Sequence, residues 1–247
     1  ASIYYKEQQR LYGKVDFYSM DPFHEGGNAG GVDLRKAGEA IMGAMKAVNP
    51  NAVWVVQAWG ACPYPAMIKN LKNGDMLVLD LYSENRPQWG DPESTWYRKE
   101  GFNGHDWAFC MLLNFGGNVG MFGKLQHVVD EYYKARQSKF VSTMKGIGLT
   151  MEGIENNPVM YELVSELPWR DAKFSWKEWL RDYVEARYGN INNAKVHDAW
   201  LLLARSVYGA EAKIVEQGCH ESVLCARPAL DVYQVSSWSE MEEFYNP

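Results

Sequence analysis

The chain has 247 residues, of which 47% are hydrophobic, and its formal net charge is −6. This length and apolar content are enough for one large domain or two small ones. The 25 lysine and arginine residues are scattered and form no basic stripe, which argues against a nucleic-acid partner. No run of about 18 apolar residues occurs, so the sequence predicts no membrane span.

Five short apolar runs alternate with helical patterns in the first 170 residues. Each run is mostly apolar on both faces, as strands of a parallel sheet are. The runs cover residues 15–20, 52–59, 76–83, 107–115 and 145–151. Two stripes at helical spacing lie between them, one formed by Leu34, Ala37, Ile41, Met45 and Val48 and the other by Phe122, Leu125, Val128, Val129 and Tyr132. This alternation of strands and helices predicts an α/β fold.

The strand pattern stops near residue 171. Ser175 with Glu178 forms a capping box, which predicts a helix that ends at Gly189. Asn193 is predicted to open a second helix. We therefore expect an α/β domain over residues 1–170, and the beginning of an all-helical domain over residues 171–247.

Polar and aromatic side chains recur where the predicted strands end. In an α/β barrel the working residues occupy these strand ends. Any one of them alone is explained as a cap or a turn, but their repetition at the same end of five strands favours a functional site. In chain order they are Asp21, His24 and Glu25 at the first strand, Gln57 and Trp59 at the second, Asp80, Tyr82 and Glu84 at the third, Asn114 and Asn118 at the fourth, and Glu152 at the fifth.

Two carboxylates on different strand ends suit glycoside hydrolysis, in which one protonates the leaving oxygen and the other attacks or activates water. Glu25 and Glu152 are the favoured pair because each is followed by glycine, which lets the backbone turn sharply. Glu84 is a third candidate, although its polar neighbours make a solvated or ion-paired role equally reasonable.

Other chemistries fit the sequence less well. The glycines at 116, 117, 120 and 123 do not match a dinucleotide-binding loop, and no serine-hydrolase elbow occurs. The cluster at Cys219, His220, Glu221 and Cys225 favours a disulfide or free thiols over a metal site, and the sequence leaves open whether the two cysteines are bridged. Cys62 and Cys110 are interpreted as buried thiols. No metal and no other cofactor is expected.

Five sequence blocks resemble glycoside hydrolase family 89, the α-N-acetylglucosaminidases. The blocks are FHEGG, AVWVVQAW, VLDLYSEN, CMLLNFGGNVGMFG and GLTMEGIENNPVMYELVSELPW, and the likeness covers roughly residues 4–208. The resemblance implies a TIM-like barrel followed by an all-helical domain. It also implies that this chain holds the later half of the barrel and the beginning of the helical domain.

The resemblance also assigns roles to individual residues. It implies that Glu25 is the acid/base, Glu152 the nucleophile and Trp59 the aromatic wall of the sugar site. Two positions depart from the family pattern. His24 stands in place of an asparagine, and Leu113 stands where the family has a histidine.

The implied function is a retaining exo-α-N-acetylglucosaminidase that acts on glycans with a terminal α-linked GlcNAc. In such a sugar the 2-acetamido group is cis to the leaving group and cannot attack from the back face, so the enzyme must supply a second carboxylate. The alternatives are a non-catalytic carbohydrate-binding fragment and a glycosidase of other specificity on the same scaffold.

The resemblance further implies a partner and a compartment. The N-terminal half of the same protein would complete the barrel, and we expect this chain alone not to be a competent enzyme. Export is expected, to the periplasm or the medium in a bacterium and to the lysosome in an animal.

Overall fold

The five apolar runs form one sheet. The structure is a computed structural model that describes residues 1–115, 118, 120–152, 154, 157–189, 194–210 and 230. The strand order is that of the sequence, and the first four strands pair in parallel. The strands are β1 (Phe17–Ser19), β2 (Val53–Ala58), β3 (Met76–Asp80), β4 (Asp106–Met111) and β5 (Met144–Leu149). The predicted α/β fold is confirmed.

The two predicted helical stripes and both helices predicted after residue 171 are present. The helices are α1 (Ser2–Tyr12), α2 (Leu34–Lys46), α3 (Pro65–Ile68), α4 (Leu125–Arg136), α5 (Pro158–Glu166), α6 (Trp176–Tyr188) and α7 (Ala194–Arg205). The Ser175 side chain caps α6 by accepting from the Lys177 N–H at 3.3 Å, and Gly189 ends the helix with φ 77°. Helix α7 begins directly after Asn193, which lies outside the described residues.

The sequence patterns did not predict α1 and α3. Helix α1 buries Tyr5 alone and has no side-chain cap at its start, so neither a buried apolar stripe nor a capping residue marks it in the sequence. Helix α3 has four residues and is too short for a helical period to show. None of the described helices is long and apolar enough to cross a membrane.

The sheet has one closed face and one partly open face. Along β2, Trp54, Val56 and Ala58 are buried, whereas Val53, Val55 and Gln57 between them are only half-buried. Strand β3 alternates in the same way from Met76 to Asp80. Because alternate side chains of a strand point to opposite faces, the half-buried set lies on one side of the sheet.

The chain divides into two compact units. The first comprises Ala1–Cys110 with Ala135–Gly148, and the second comprises Met111–Lys134 with Leu149–Pro247. In the second unit, α6 and α7 meet through aromatic rings. The Trp179 and Tyr183 rings stack at 5.2 Å, and the Tyr183 ring meets Trp200 edge-on at 5.1 Å. The described residues after 171 form helices and turns without strands, whereas the predicted division at residues 170 and 171 stays a prediction.

Two cysteines can be described. Cys62 and Cys110 are buried free thiols, as predicted. Burial raises the pKa of both thiols, so both stay protonated near neutral pH. Cys219 and Cys225, with His220 and Glu221 between them, lie outside the described residues.

Helix α2 approaches α3 so closely that only glycine fits at the contact. A Cβ added to Gly38 would lie 2.1 Å from the carbonyl oxygen of Met67, a residue that is itself buried. Gly43, an exposed position further along the same helix, has open space where its Cβ would be. Gly38 is therefore required for packing, whereas Gly43 is not.

We expect Gly38→Ala to lower the free energy of unfolding by about 1–3 kcal/mol, because the added methyl group overpacks the contact. Gly43→Ala is the matched control and should be neutral or stabilising by up to about 1 kcal/mol, because alanine is the better helix former. Thermal unfolding of both variants measures the difference. Equal unfolding temperatures would contradict the close approach.

Candidate active site

The segment that follows β1 carries His24 and Glu25 on a tight turn. The Gly27 N–H donates to the His24 carbonyl oxygen at 3.0 Å, and Gly26 adopts φ 80°. A Cβ at Gly27 would lie 2.6 Å from Phe23 Cα, so this turn needs glycine. The sharp turn predicted after Glu25 is present.

Backbone strain gathers in the predicted site blocks. Among the described residues, four that are not glycine have positive φ, namely Phe23 (58°), Glu25 (45°), Asn103 (55°) and Leu113 (60°). Positive φ is uncommon for bulky side chains, and such residues cluster at functional sites. Two of the four lie in the Glu25 turn, and Leu113 directly precedes Asn114. The strain therefore favours a functional role for both segments.

The Glu25 turn is fixed to the segment that contains β2 at two points. The carboxylate of Asp21 accepts from the Gln57 backbone N–H at 2.7 Å and from its side-chain Nε2 at 2.9 Å. The Cys62 thiol lies 3.2 Å from the carbonyl oxygen of Phe23. These contacts hold the backbone and leave the Glu25 side chain exposed.

Two polar groups of this turn have no hydrogen-bond partner among the described residues. The Glu25 carboxylate has no hydrogen bond or ion pair with another described residue. Within the described part of the chain, Nε2 of His24 is buried and also has no hydrogen-bond partner. A buried ring nitrogen without a partner costs free energy, which a bound polar group would recover.

Trp59, Tyr82 and Trp96 form an aromatic cluster at the carboxyl ends of β2 and β3. The Trp59 ring centroid lies 5.9 Å from Tyr82 and 4.9 Å from Trp96. Trp59 and Trp96 are half-buried, whereas Tyr82 is buried. The guanidinium of Arg86 lies over the Trp96 ring at 5.3 Å. The structure thus brings together Trp59 and Tyr82, which the sequence placed on separate strand ends.

Sequence reasoning missed Trp96. It lies in the polar loop between β3 and β4, in the stretch Ser94-Thr95-Trp96-Tyr97-Arg98, and carries no strand-end signal. The one available signal is that Trp96 and Tyr97 are adjacent inside an otherwise polar segment. Such a pair is out of place in a solvated loop unless the rings have something to pack against.

Asp80 ends β3 with a fully buried carboxyl group. Its Oδ2 accepts from the backbone N–H groups of Gln88 at 2.8 Å and of Trp89 at 2.9 Å. Burial raises the pKa of Asp80 to about 7, and the two backbone hydrogen bonds and the charge of Arg98 offset that effect only in part. The carboxyl group therefore gains a proton near neutral pH.

Arg98 joins this network to the loop after β2. Its Nε donates to Oε1 of Gln88 at 2.6 Å, and its two Nη atoms donate to the carbonyl oxygens of Pro63 at 2.7 Å and Cys62 at 2.8 Å. Burial lowers the pKa of Arg98, and the nearby Asp80 carboxylate raises it in part. The guanidinium thereby fixes the backbone that follows Trp59.

In the second unit, Asn114 and Asn118 are both buried. Nδ2 of Asn114 donates to the Gly120 carbonyl oxygen at 2.8 Å, and Nδ2 of Asn157 donates to the same oxygen at 3.1 Å. The Phe122 N–H donates to Oδ1 of Asn157 at 2.8 Å. The observed contact of the Asn114 side chain is therefore to the backbone of its own loop, and the substrate-binding roles predicted for Asn114 and Asn118 stay predictions.

Glu152 follows β5 and is exposed in a turn. Its carboxylate has no hydrogen bond or ion pair with another described residue. The Tyr161 hydroxyl oxygen lies 2.5 Å from the Glu152 carbonyl oxygen and 2.9 Å from that of Thr150. Gly153, which was predicted to let the backbone turn sharply after Glu152, lies outside the described residues.

The third candidate carboxylate, Glu84, differs from the other two because it is buried. Exposed, unpaired carboxylates thus occur at Glu25 and Glu152 but not at Glu84. Among the described residues no group of three or more His, Cys, Asp or Glu side chains is placed to hold a metal ion.

The fold and the site define a class. A parallel sheet with helices between its strands, polar and aromatic residues at its carboxyl ends and a following helical region are the features of a TIM-barrel segment joined to an all-helical region.

Comparison with protein-family models identifies the family. Residues 1–171 match the α-N-acetylglucosaminidase tim-barrel domain, and residues 179–247 match the C-terminal domain of the same family. The chain belongs to the α-N-acetylglucosaminidase family, glycoside hydrolase family 89.

Individual relatives support this family assignment. The chain is 33% identical to α-N-acetylglucosaminidase from Homo sapiens over 99% of its own length and 33% of that protein. It is also 33% identical to a family 89 glycoside hydrolase from Clostridium perfringens. The chain is fully covered in two of that enzyme's structures, with a TM-score of 0.83 for the complex with PUGNAc and 0.85 for the complex of a variant with GlcNAc-α-1,4-galactose. The chain spans 27% of the Clostridium chains.

A protein of a different glycoside hydrolase family has a similar fold. A family GH115 4-O-methyl-α-glucuronidase superposes with a TM-score of 0.57 at 11% identity over 83% of the chain. This match concerns the fold alone.

The buried carboxyl group of Asp80 predicts a pH dependence of stability. Its pKa of about 7 in the folded protein lies above the ordinary value of 3.8 for an aspartate, so its contribution to stability is complete below about pH 4 and is lost as the pH rises toward 7. Asp80→Asn removes this titration. Relative to the unsubstituted protein, the variant should therefore gain up to about 1.4 kcal/mol per pH unit between about pH 4.5 and pH 7.

Urea unfolding of both proteins across this pH range measures the difference. The comparison cancels the titration of every other group that the substitution leaves unchanged. Parallel stability curves for the two proteins would contradict the assignment.

Proposed function

We propose that this chain is part of a retaining exo-α-N-acetylglucosaminidase that removes terminal α-linked GlcNAc from glycans. The observation that carries the proposal is the pair of glutamates in a member of this family. Glu25 and Glu152 each lie exposed on a turn that follows a strand, and each carboxylate is unpaired among the described residues.

Glu25 is proposed as the acid/base and Glu152 as the nucleophile. Glu25 protonates the glycosidic oxygen while a Glu152 oxygen bonds to the anomeric carbon from the opposite face, and the leaving alcohol departs. Water then attacks the β-linked glycosyl-enzyme as Glu25 takes its proton, and the sugar leaves in its original α configuration. The two carboxyl groups of a retaining pair lie about 5–5.5 Å apart.

The chemistry of the sugar supports two protein carboxylates. The 2-acetamido group of an α-linked GlcNAc is cis to the leaving group, so it cannot attack from the back face. The solved variant of the Clostridium relative points the same way. In it two glutamates are replaced by glutamine, and the crystals hold its substrate.

The aromatic cluster supports sugar binding. Trp59 and Trp96 are half-buried rings that meet edge-to-face, and a flat apolar face of this kind suits the apolar side of a pyranose. Trp59 is the proposed wall of the sugar pocket, with Tyr82 packed behind it. His24, through its unpartnered Nε2, is a proposed hydrogen-bonding contact to the substrate, and Asn114 and Asn118 remain the proposed amide contacts.

The proposal places this chain within a longer polypeptide, which is exported. The chain spans a third of the human relative. Among the described residues no strand pairs with the outer edge of β1, and one face of the sheet is partly open. Unpaired edges and open apolar faces are normally covered. The N-terminal half of the same protein is the proposed cover, in a periplasmic or secreted bacterial enzyme or a lysosomal animal one.

Two alternatives use the same scaffold. A non-catalytic carbohydrate-binding fragment would bind glycan without turnover, and a glycosidase of other specificity would prefer another aryl glycoside. Rates on aryl α-GlcNAc, α-glucoside and β-GlcNAc by the full-length protein separate these alternatives from the proposal.

The two glutamates can be told apart by rescue with azide in the full-length protein. In Glu152→Ala the back-face nucleophile is missing, so azide takes its place and gives a β-glycosyl azide. In Glu25→Ala a substrate with a good leaving group still forms the glycosyl-enzyme, and azide then gives the α-glycosyl azide. Each substitution should lower kcat without azide by at least about 100-fold.

NMR of each azide product gives its anomeric configuration. Exchanged configurations would reverse the two roles. Full activity in either variant would exclude the mechanism.

Trp59 gives a second test of the proposed site. We expect Trp59→Ala to lower kcat/KM for aryl α-GlcNAc by about tenfold or more, which is about 1.4 kcal/mol, because an apolar wall of the pocket is lost. Trp176→Ala is the control, since it also removes a half-buried tryptophan, at the first residue of α6. If Trp59 only fills the core, the variant would lose stability while its folded fraction keeps normal kinetics.

A further inference from the structure

Tyr161 extends from helix α5 to the segment that carries Glu152. The residue is buried, and its hydroxyl oxygen lies 2.9 Å from the Thr150 carbonyl oxygen and 2.5 Å from the Glu152 carbonyl oxygen. A tyrosine has one hydroxyl proton, so the two carbonyl groups share a single donor. The contact therefore draws together the backbone on both sides of Met151.

Helix α5 is a firm support for this contact. Its Val159, Met160, Leu163 and Val164 side chains are fully buried. Asn157, the residue that precedes the helix, holds the loop at Gly120 and Phe122 through its side chain. Packed helices of this kind hold a side chain more precisely than a loop does.

Few other contacts with described residues hold the Glu152 segment. The Met151 side chain is 51% exposed and Glu152 is exposed, so neither side chain anchors the turn by burial. The Thr150 N–H donates to the Met111 carbonyl oxygen at 3.1 Å and fixes the start of the segment. Beyond that point, among the described residues, the hydrogen bond from the Tyr161 hydroxyl is the contact that fixes the backbone of Glu152 itself.

We infer that Tyr161 is the positioning residue for the proposed nucleophile, which it holds through the backbone carbonyl of Glu152 and not through the carboxylate. This inference rests on the proposed function. The arrangement leaves both carboxylate oxygens of Glu152 free for the anomeric carbon. A displacement of the nucleophile by about 1 Å can cost about 100-fold in rate, so a lost backbone contact has a kinetic effect.

The test is Tyr161→Phe in the full-length protein, which removes the hydroxyl and keeps the ring. Tyr133→Phe is the matched control. Tyr133 is also buried in the second unit, and its hydroxyl donates to the Arg170 carbonyl oxygen at 2.9 Å, away from the Glu152 segment. Both variants lose one tyrosine–carbonyl hydrogen bond, so a general loss of stability should be similar in the two.

Three quantities are measured, namely kcat/KM for aryl α-GlcNAc, the unfolding temperature, and hydrogen exchange at the amide of Thr150, which donates to the Met111 carbonyl oxygen. We expect Tyr161→Phe to lower kcat/KM by about 10- to 100-fold and to speed exchange at this amide. Tyr133→Phe should do neither, although its unfolding temperature should fall by a similar amount.

Unchanged exchange in Tyr161→Phe would overturn the inference, because the hydroxyl would then not hold the segment. Faster exchange with unchanged kcat/KM would also overturn it, because the contact would then order a turn without positioning the nucleophile. A loss of kcat/KM that Tyr133→Phe reproduces would assign the effect to stability alone. An unsubstituted protein that cleaves no glycoside would overturn the proposed function and this inference with it, and the inactive parent protein distinguishes that result from the other three.

Discussion

At the carboxyl end of the sheet, the loops of the first unit depend on the buried carboxyl group of Asp80. Its side chain accepts from the backbone of Gln88, the Gln88 side chain accepts from Arg98, and Arg98 donates to the backbone around Cys62. The Cys62 thiol in turn lies against the Phe23 carbonyl oxygen. One continuous series of contacts thus runs from the end of β3 to the turn that carries Glu25. Buried polar groups of this kind are costly when unpaired, so the loops gain a defined geometry from satisfying them.

The sheet and the long helices were predictable because burial leaves a period in the sequence. Strand β2 and the α2 stripe each repeat an apolar residue at the spacing of its element. The residues at which strands end were less predictable. The fourth apolar run continues to residue 115, but β4 ends at Met111 and Leu113 turns to φ 60°. An apolar run shows where a chain is buried and does not show where its backbone leaves the sheet.

The candidate site could be proposed from the charged residues in the sequence, but the residues that contact them could not be. Glu25 and Glu152 stand out because a carboxylate beside glycine is unusual at the end of an apolar run. Trp96 and Tyr161 make their contacts across 37 and 9 residues of sequence, to Trp59 and Glu152, and no local pattern records such pairs. Such pairs exist only once the fold has brought their elements together.

The two proposed catalytic glutamates are held in the same way on unrelated local structures. Near Glu25 the anchored atom is the Phe23 carbonyl oxygen, and at Glu152 it is the residue's own carbonyl oxygen. In both cases a buried side chain fixes the backbone, and the carboxylate stays exposed and unpaired among the described residues. A carboxylate bound to neighbouring side chains would have to exchange those partners for the substrate during each turnover. Anchoring through the backbone avoids that exchange, because the position is set while both oxygens remain available.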